Sequence, residues 1–306
     1  MTALKLIAQY VLDKLSEKRP LFIALQGPQG SGKSYLATHL RSFLQEPPHS
    51  LRVAVLSIDD LYLPHKELVL LAASNPENIL LKGRGQPGTH DVDLGVQILS
   101  ALKASNGTIE LPRFDKSLYL GEGDRLPMDG TGPLILQPPQ LDVVIFEGWC
   151  VGFHPISDEE LLSRWNGVWE TERQKLGLNL DRVCRLIDVK TVNDNLKQYL
   201  RLWSFFDVFV QLKPEAPPFS HLSQYAVVYK WRLEQEHNMK ARNGGEGMSD
   251  AAVKSFVDRY IPGYVFFGDF PPLAIDENLE GSSTKVVSGL TIVLDKMRSV
   301  TGTSTF

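Results

Sequence analysis

Leu21-Phe22-Ile23-Ala24-Leu25-Gln26-Gly27-Pro28-Gln29-Gly30-Ser31-Gly32-Lys33-Ser34-Tyr35 decides the fold. Its first five residues form an uninterrupted apolar run, the pattern of a short strand buried on both faces. Gly27–Ser34 then satisfies G-x-x-x-x-G-K-[ST], and a helical pattern follows from about Tyr35 to Gln45, stopped by Pro47-Pro48. Glycines let such a loop wrap a phosphate chain with its N–H groups inward, and the helix N-terminus adds a favourable dipole. The expected nucleotide contacts are Gly27, Pro28, Gln29, Gly30, Ser31, Gly32, Lys33, Ser34 and Tyr35. Lys33 reaches the β- and γ-phosphates, and the Ser34 hydroxyl is placed to bind Mg²⁺. A glycine-rich turn with a surface lysine is the bland alternative, and the strand–loop–helix setting weighs against it. No N-K-x-D guanine motif is present, which favours ATP over GTP.

Outward from this stretch, strand and helix alternate. Arg52–Ile58, Asp142–Glu147 and Asp207–Leu212 read as further strands, the last stopped by Pro214, with Tyr264–Phe267 as a fifth. Before them Leu4, Ile7, Ala8, Val11, Leu12 and Leu15 recur at helical spacing. The expected fold class is α/β: a P-loop NTPase fold with a five-stranded, mostly parallel sheet flanked by helices. The chain 1–306 reads as one domain. Helical insertions occupy about 62–140 and 149–205, and a lid region about 219–262. Such insertions shape substrate pockets beyond the carboxyl ends of the strands.

Composition narrows the function classes. Of 306 residues 43% are hydrophobic and 22% charged, an ordinary globular balance that excludes a disordered, collagenous or coiled-coil chain. With 32 basic and 36 acidic residues the net charge is −4, which argues against a general grip on nucleic acid. No apolar run reaches membrane-spanning length. Cys150 and Cys184 cannot make a disulfide framework. With no signal-like N-terminal region, the expected location is the cytosol, with access to the nucleus.

Two acidic positions stand at strand ends. Asp59 follows Leu56-Ser57-Ile58, and Glu147 follows Val143-Val144-Ile145-Phe146. If both strands flank the first, both carboxylates face the cradle. Transfer of a phosphoryl group to an alcohol needs a base for the hydroxyl proton and carboxylates for Mg²⁺. Asp59 is the expected base. Ser34, Asp59 and Glu147 are the expected metal shell, with Gly148 allowing close approach to the ligand. For Asp60, capping the next segment competes evenly with catalysis.

Gly27–Ser34, Ser57-Ile58-Asp59-Asp60-Leu61-Tyr62 and Ile145-Phe146-Glu147-Gly148 together resemble the uridine kinase, phosphoribulokinase and pantothenate kinase superfamily. That resemblance implies Asp59 as base and Glu147 as a metal-associated carboxylate. Gly83–Asp91, Leu111–Ser117 and Phe146–Phe153 look like the D-glycerate 3-kinase branch, which includes plant glycerate kinases and fungal ATP-binding kinase-like proteins. It implies an ATP-dependent small-molecule kinase acting on an alcohol, with D-glycerate or a related small acid first.

A small anion needs fixed cations and polar donors. Arg84, Thr89, His90, Asp91, Arg113, Asp115 and Lys116 supply them from the first insertion. Arg113–Lys116 is the preferred stretch, because it holds alternating charges in one short loop. His90 and Asp91 as helix caps, and Arg125 as a surface charge, are the competing readings. Arg232, on a helix resembling a kinase lid, is placed to neutralise the transferring phosphoryl group, against simple i,i+4 pairing with Glu236. The alternative function is a P-loop ATP-binding regulator with little turnover that holds a protein partner.

Overall fold

The computed structural model describes residues 1–178, 183–219, 221–241, 244–269 and 288–306. β1 (Leu21–Gln26) is buried along its whole length. Because side chains alternate along a strand, Leu21, Ile23 and Leu25 enter one core, while Phe22 and Ala24 enter the other. The helices Ala3–Leu15 and Lys33–Gln45 cover the first face with Ile7, Val11, Leu36 and Leu40. Each such side chain contributes about 1.5–3 kcal/mol when fully buried.

Around β1 stand β2 (Val53–Ser57), β3 (Val143–Gly148), β4 (Val208–Pro214), β5 (Ser288–Leu294) and β6 (Val300–Thr305). The sheet order is β6-β5-β4-β1-β3-β2. Five strands are parallel, and β6 alone runs antiparallel, along β5. The sheet is therefore mostly parallel, as expected, with six strands in place of five.

Two expectations are corrected. Tyr264–Phe267 is no strand; it lies in the helix Ile261–Phe267, which is buried on every side. A short run that is apolar throughout carries no period to separate strand from buried helix, and Pro262 in the first turn suits a helix start. Nor does β2 flank β1. β3 lies between them, pairing with both.

The first insertion holds the helices His65–Ser74 and Val92–Ala104 and two small ribbons. One ribbon pairs Gly107–Glu110 with Leu134–Gln137, the other Phe114–Asp115 with Asp124–Arg125. The second includes the helices Asp158–Arg164 and Leu186–Trp203, and the lid region includes Ala226–Lys240 and Asp250–Asp258. Trp169, Trp203 and Trp231 are buried core aromatics. Among the described residues no helix is long and apolar enough to cross a membrane.

Candidate active site

The loop after β1 delivers Gly27–Ser34 to the carboxyl edge of the sheet. Gly32 is the N-cap of the helix Lys33–Gln45, and no side chain caps that end. Its first-turn N–H groups are thus left for an anion, with the helix dipole behind them. Parallel register sets Glu147 of β3 opposite both Leu25 of β1 and Ser57 of β2. From there Glu147 accepts a 2.9 Å hydrogen bond from the Ser34 hydroxyl. The carboxylate is buried, and its Oε2 has no hydrogen-bond partner. A buried carboxylate oxygen left bare is costly unless a cation or donor joins it. Gly148 makes room for protein instead of ligand: a Cβ there would meet Ile58 at 2.3 Å.

Just past β2 the chain turns through the short helix Ile58–Leu61, opened by a hydrogen bond from the Asp59 amide to Ser57 Oγ. Asp59 forms an ion pair with Lys116. Burial pushes its carboxyl up, but Lys116 and Lys33 outweigh that and hold it well below the usual range. It is an ionised carboxylate between two lysines. For Asp60 burial dominates, helped by the neighbouring charge of Asp59, and its pKa rises to about 6. Its carboxylate accepts from the Phe114 amide, at 3.3 Å, which ties the small ribbon to this corner.

The expected acceptor residues separate into two groups. Lys116 reaches Asp59, and Arg84 lies close enough to repel Lys116 electrostatically. Arg84 stands over the Phe114 ring at 5.7 Å and donates to the carbonyls of Gly121 and Glu122. His90 is buried and stacks on Tyr62 with centroids 4.4 Å apart. These three acceptor candidates gather with Asp59 around the corner.

The others hold the scaffold. The Thr89 hydroxyl closes its own loop, donating to the Gln86 carbonyl at 2.8 Å. Asp91 caps the helix Val92–Ala104 through the Leu94 amide and pairs with Arg125 at 2.7 Å. Both line a cleft of about 430 Å³ with Pro64, Leu94 and Met128, where a ligand anion must compete with Asp91 for Arg125. Arg113 donates to Thr131, at 2.7 Å, and Asp115 accepts from Ser117. The charges of 113–116 therefore do not converge. Arg232 pairs with the buried Glu236 at 2.7 Å and stands over Phe256, which is the i,i+4 reading. Tyr35 points outward, stacked on His39. Cys150 is buried, and burial pushes its thiol well above the ordinary range.

Three contacts to the cradle have no motif. The Gln29 amide donates to the Tyr264 hydroxyl at 3.1 Å. The Trp231 backbone packs on Gly30, and Arg298 donates to the Gly30 carbonyl. Tyr264, Trp231 and Arg298 lie about two hundred or more residues downstream, and only the fold brings them back. Among the described residues no group of three or more His, Cys, Asp or Glu side chains is gathered to hold a metal. A cation here would rest on Ser34 and Glu147 and on phosphate oxygens of the nucleotide.

A scan against protein-family profiles finds no match. Individual relatives are plain. The chain is 37% identical over 274 residues to an uncharacterized kinase, mug58, of Schizosaccharomyces pombe, covering 87% of this chain and 90% of that one. It is 34% identical over 304 residues to the probable ATP-dependent kinase TDA10 of Saccharomyces cerevisiae, covering 94% and 89%. A solved structure described as D-glycerate 3-kinase from Cryptococcus neoformans superposes with a TM-score of 0.82 at 36% identity, covering all of both chains.

Proposed function

The chain belongs to the family of ATP-dependent P-loop small-molecule kinases that includes D-glycerate 3-kinase, and from that membership we propose that its acceptor is D-glycerate or a closely related small hydroxy acid. Turnover is favoured over ATP-dependent regulation of a protein partner, because relatives matched over most of their length carry kinase names. The observation that carries the acceptor reading is the corner at the end of β2. An ionised carboxylate, Asp59, sits there beside Lys116, with Lys33 and Arg84 near.

In the proposed reaction an acceptor hydroxyl oxygen attacks the γ-phosphorus of ATP. A new P–O bond forms, and the bond to the β,γ-bridging oxygen breaks. ADP leaves with that electron pair, and Asp59 takes the hydroxyl proton. Lys33 neutralises charge on the transferring group. Lys116 has a double part. Its ion pair keeps Asp59 weakly basic, and an acceptor carboxylate competes for the same ammonium group. Binding of the anion thus releases a stronger base. Ser34 and Glu147, with its bare Oε2, are the residues that would hold magnesium, which supplies charge neutralisation at the phosphates when bound.

The test is ATP consumption with a panel of hydroxy acids, nucleosides, pantothenate and pentose phosphates, run on the wild type and on Asp59→Asn. D-glycerate or a close analogue should turn over best. Asp59→Asn should lower transfer by roughly 10²–10⁴-fold with ATP binding kept. Turnover of only neutral acceptors would overturn the anionic reading. Near-normal transfer by Asp59→Asn would remove Asp59 as the base.

A further inference from the structure

The tip of the phosphate loop is held from behind by a residue that belongs to no motif. Arg298 sits in the turn between β5 and β6, at φ 64°. Asp295 closes this turn. Its carbonyl accepts from the Arg298 amide at 2.9 Å, and its carboxylate accepts from the amides of Met297 and Ser299. The guanidinium then serves two segments, the phosphate loop and the helix Ala226–Lys240. Nε donates to the Gly30 carbonyl at 2.7 Å, and Nη1 to Glu234 at 2.9 Å. Nη2 reaches the Trp231 carbonyl at 3.4 Å, and the cation lies 5.5 Å from the Trp231 ring centroid.

Trp231 completes the grip. Its indole N–H donates to the Lys296 carbonyl of the same turn, at 3.1 Å. Its backbone fills the space beside Gly30, where an added Cβ would lie 2.6 Å from the Trp231 carbonyl carbon. Gly30 itself is at φ 73°, a conformation that glycine enters and leaves at little cost. A loop tip with that freedom binds phosphate well only if its peptide planes are fixed beforehand, since ordering them on binding costs affinity. Arginine is well suited to fixing them, because its fork of five donors is rigid and always charged.

We infer that Arg298 is a positioning residue for ATP, acting directly on the Gly30 peptide of the phosphate loop, with Glu234 only steadying the guanidinium. The role does not depend on which acceptor is phosphorylated.

The test is calorimetric titration of the full chain with ADP in the presence of magnesium, supported by Michaelis constants for ATP and for the acceptor. Arg298→Ala should weaken ADP binding and raise the Michaelis constant for ATP by roughly ten- to a hundred-fold, with that for the acceptor unchanged. Arg298→Lys keeps the charge but lacks the fork, and should fall in between. Glu234→Gln leaves the bond to Gly30 in place, and should cost less than about three-fold. A merely structural arginine lowers the melting temperature and leaves nucleotide affinity alone, and that result in Arg298→Ala and Arg298→Lys overturns the inference. Should Arg298→Ala fail to fold, wild-type ADP affinity in Arg298→Lys suffices to overturn it. A Glu234→Gln loss as large as that of the arginine variants also overturns it, because the effect would then run through the helix and not through Gly30.

Discussion

His90 shows how one buried side chain is set by its neighbours. The Tyr199 oxygen accepts from the Gly88 amide at 2.8 Å, so its own proton is free for His90 Nδ1, 2.7 Å away. The imidazole is neutral, and its Nε2 has no hydrogen-bond partner among the described residues. Burial, the largest influence, holds the His90 pKa down at about 3, against 6.5 for a free histidine. The folded state therefore resists protonation that the unfolded chain accepts. This contribution is fully present above pH 6.5 and is lost as the pH falls toward 3, at about 1.4 kcal/mol per unit. Asp60 works in the opposite sense. Its carboxyl is raised to about 6, so its contribution is present below the unfolded value of 3.8 and fades as the pH rises through 6. The two oppose each other between about pH 4 and 6, so the wild-type profile hides both. Comparison with His90→Gln removes only the histidine. The stability gap between wild type and variant, from denaturant unfolding, should narrow by about 2 kcal/mol between pH 7 and pH 5. A gap that does not change with pH would contradict the buried neutral imidazole.

The ribbon Phe114–Asp115 explains why the charges of its segment part company. Alternation along an extended chain sends Phe114 and Lys116 to one side, against Tyr62 and Asp59, and Arg113 and Asp115 to the other. Lys116→Ala should therefore raise the Michaelis constant for the acceptor by roughly ten- to a hundred-fold, the loss of a charge-assisted hydrogen bond. Arg113→Ala should change it less than about two-fold and shift stability by at most about 1 kcal/mol. Steady-state kinetics of the two variants side by side decide the matter; equal effects would mean that the ribbon reorganises on binding. The sequence presents Arg113–Lys116 as one loop of converging charge, because a two-residue strand is too short to display its period. Elements with local signals were legible: β1, the cradle and the helix after it all follow from adjacent residues. The insertion of β3 between β1 and β2 was not, since strand order depends on pairing between distant segments. β5 sends alternate residues, Leu290, Ile292 and Leu294, into the core and was readable by that period, whereas β6 offers only Val300 as a large apolar side chain. The cradle was visible as a motif, but its supports at Trp231, Tyr264 and Arg298 come from three later elements with no shared pattern.

At the scale of the whole molecule, those supports make the nucleotide site a junction. Gln29 is tied to the helix Ile261–Phe267 through Tyr264, and Gly30 to the helix Ala226–Lys240 and to the β5–β6 turn. A ligand that binds only the folded chain stabilises it by about 2.7 kcal/mol at a hundred times its dissociation constant. In a chain longer than 250 residues each kcal/mol moves the melting temperature by about 2–4 °C or less, so saturating ADP with magnesium should raise it by about 5 °C. Lys33→Ala should lose most of that rise. The distribution of the effect is the sharper measurement. Local opening is governed by which segments share contacts, and a ligand that fixes the loop tip restrains whatever the tip is fastened to. Hydrogen exchange on ADP binding should slow in the loop 27–34 and also at the amides around 231–234, 261–267 and 296–299. The loop 105–107, at the far end of the helix Val92–Ala104, should exchange as before. Protection confined to the loop and the first turn after it would show that the three supports are passive packing, and would set the nucleotide site apart from the rest of the fold.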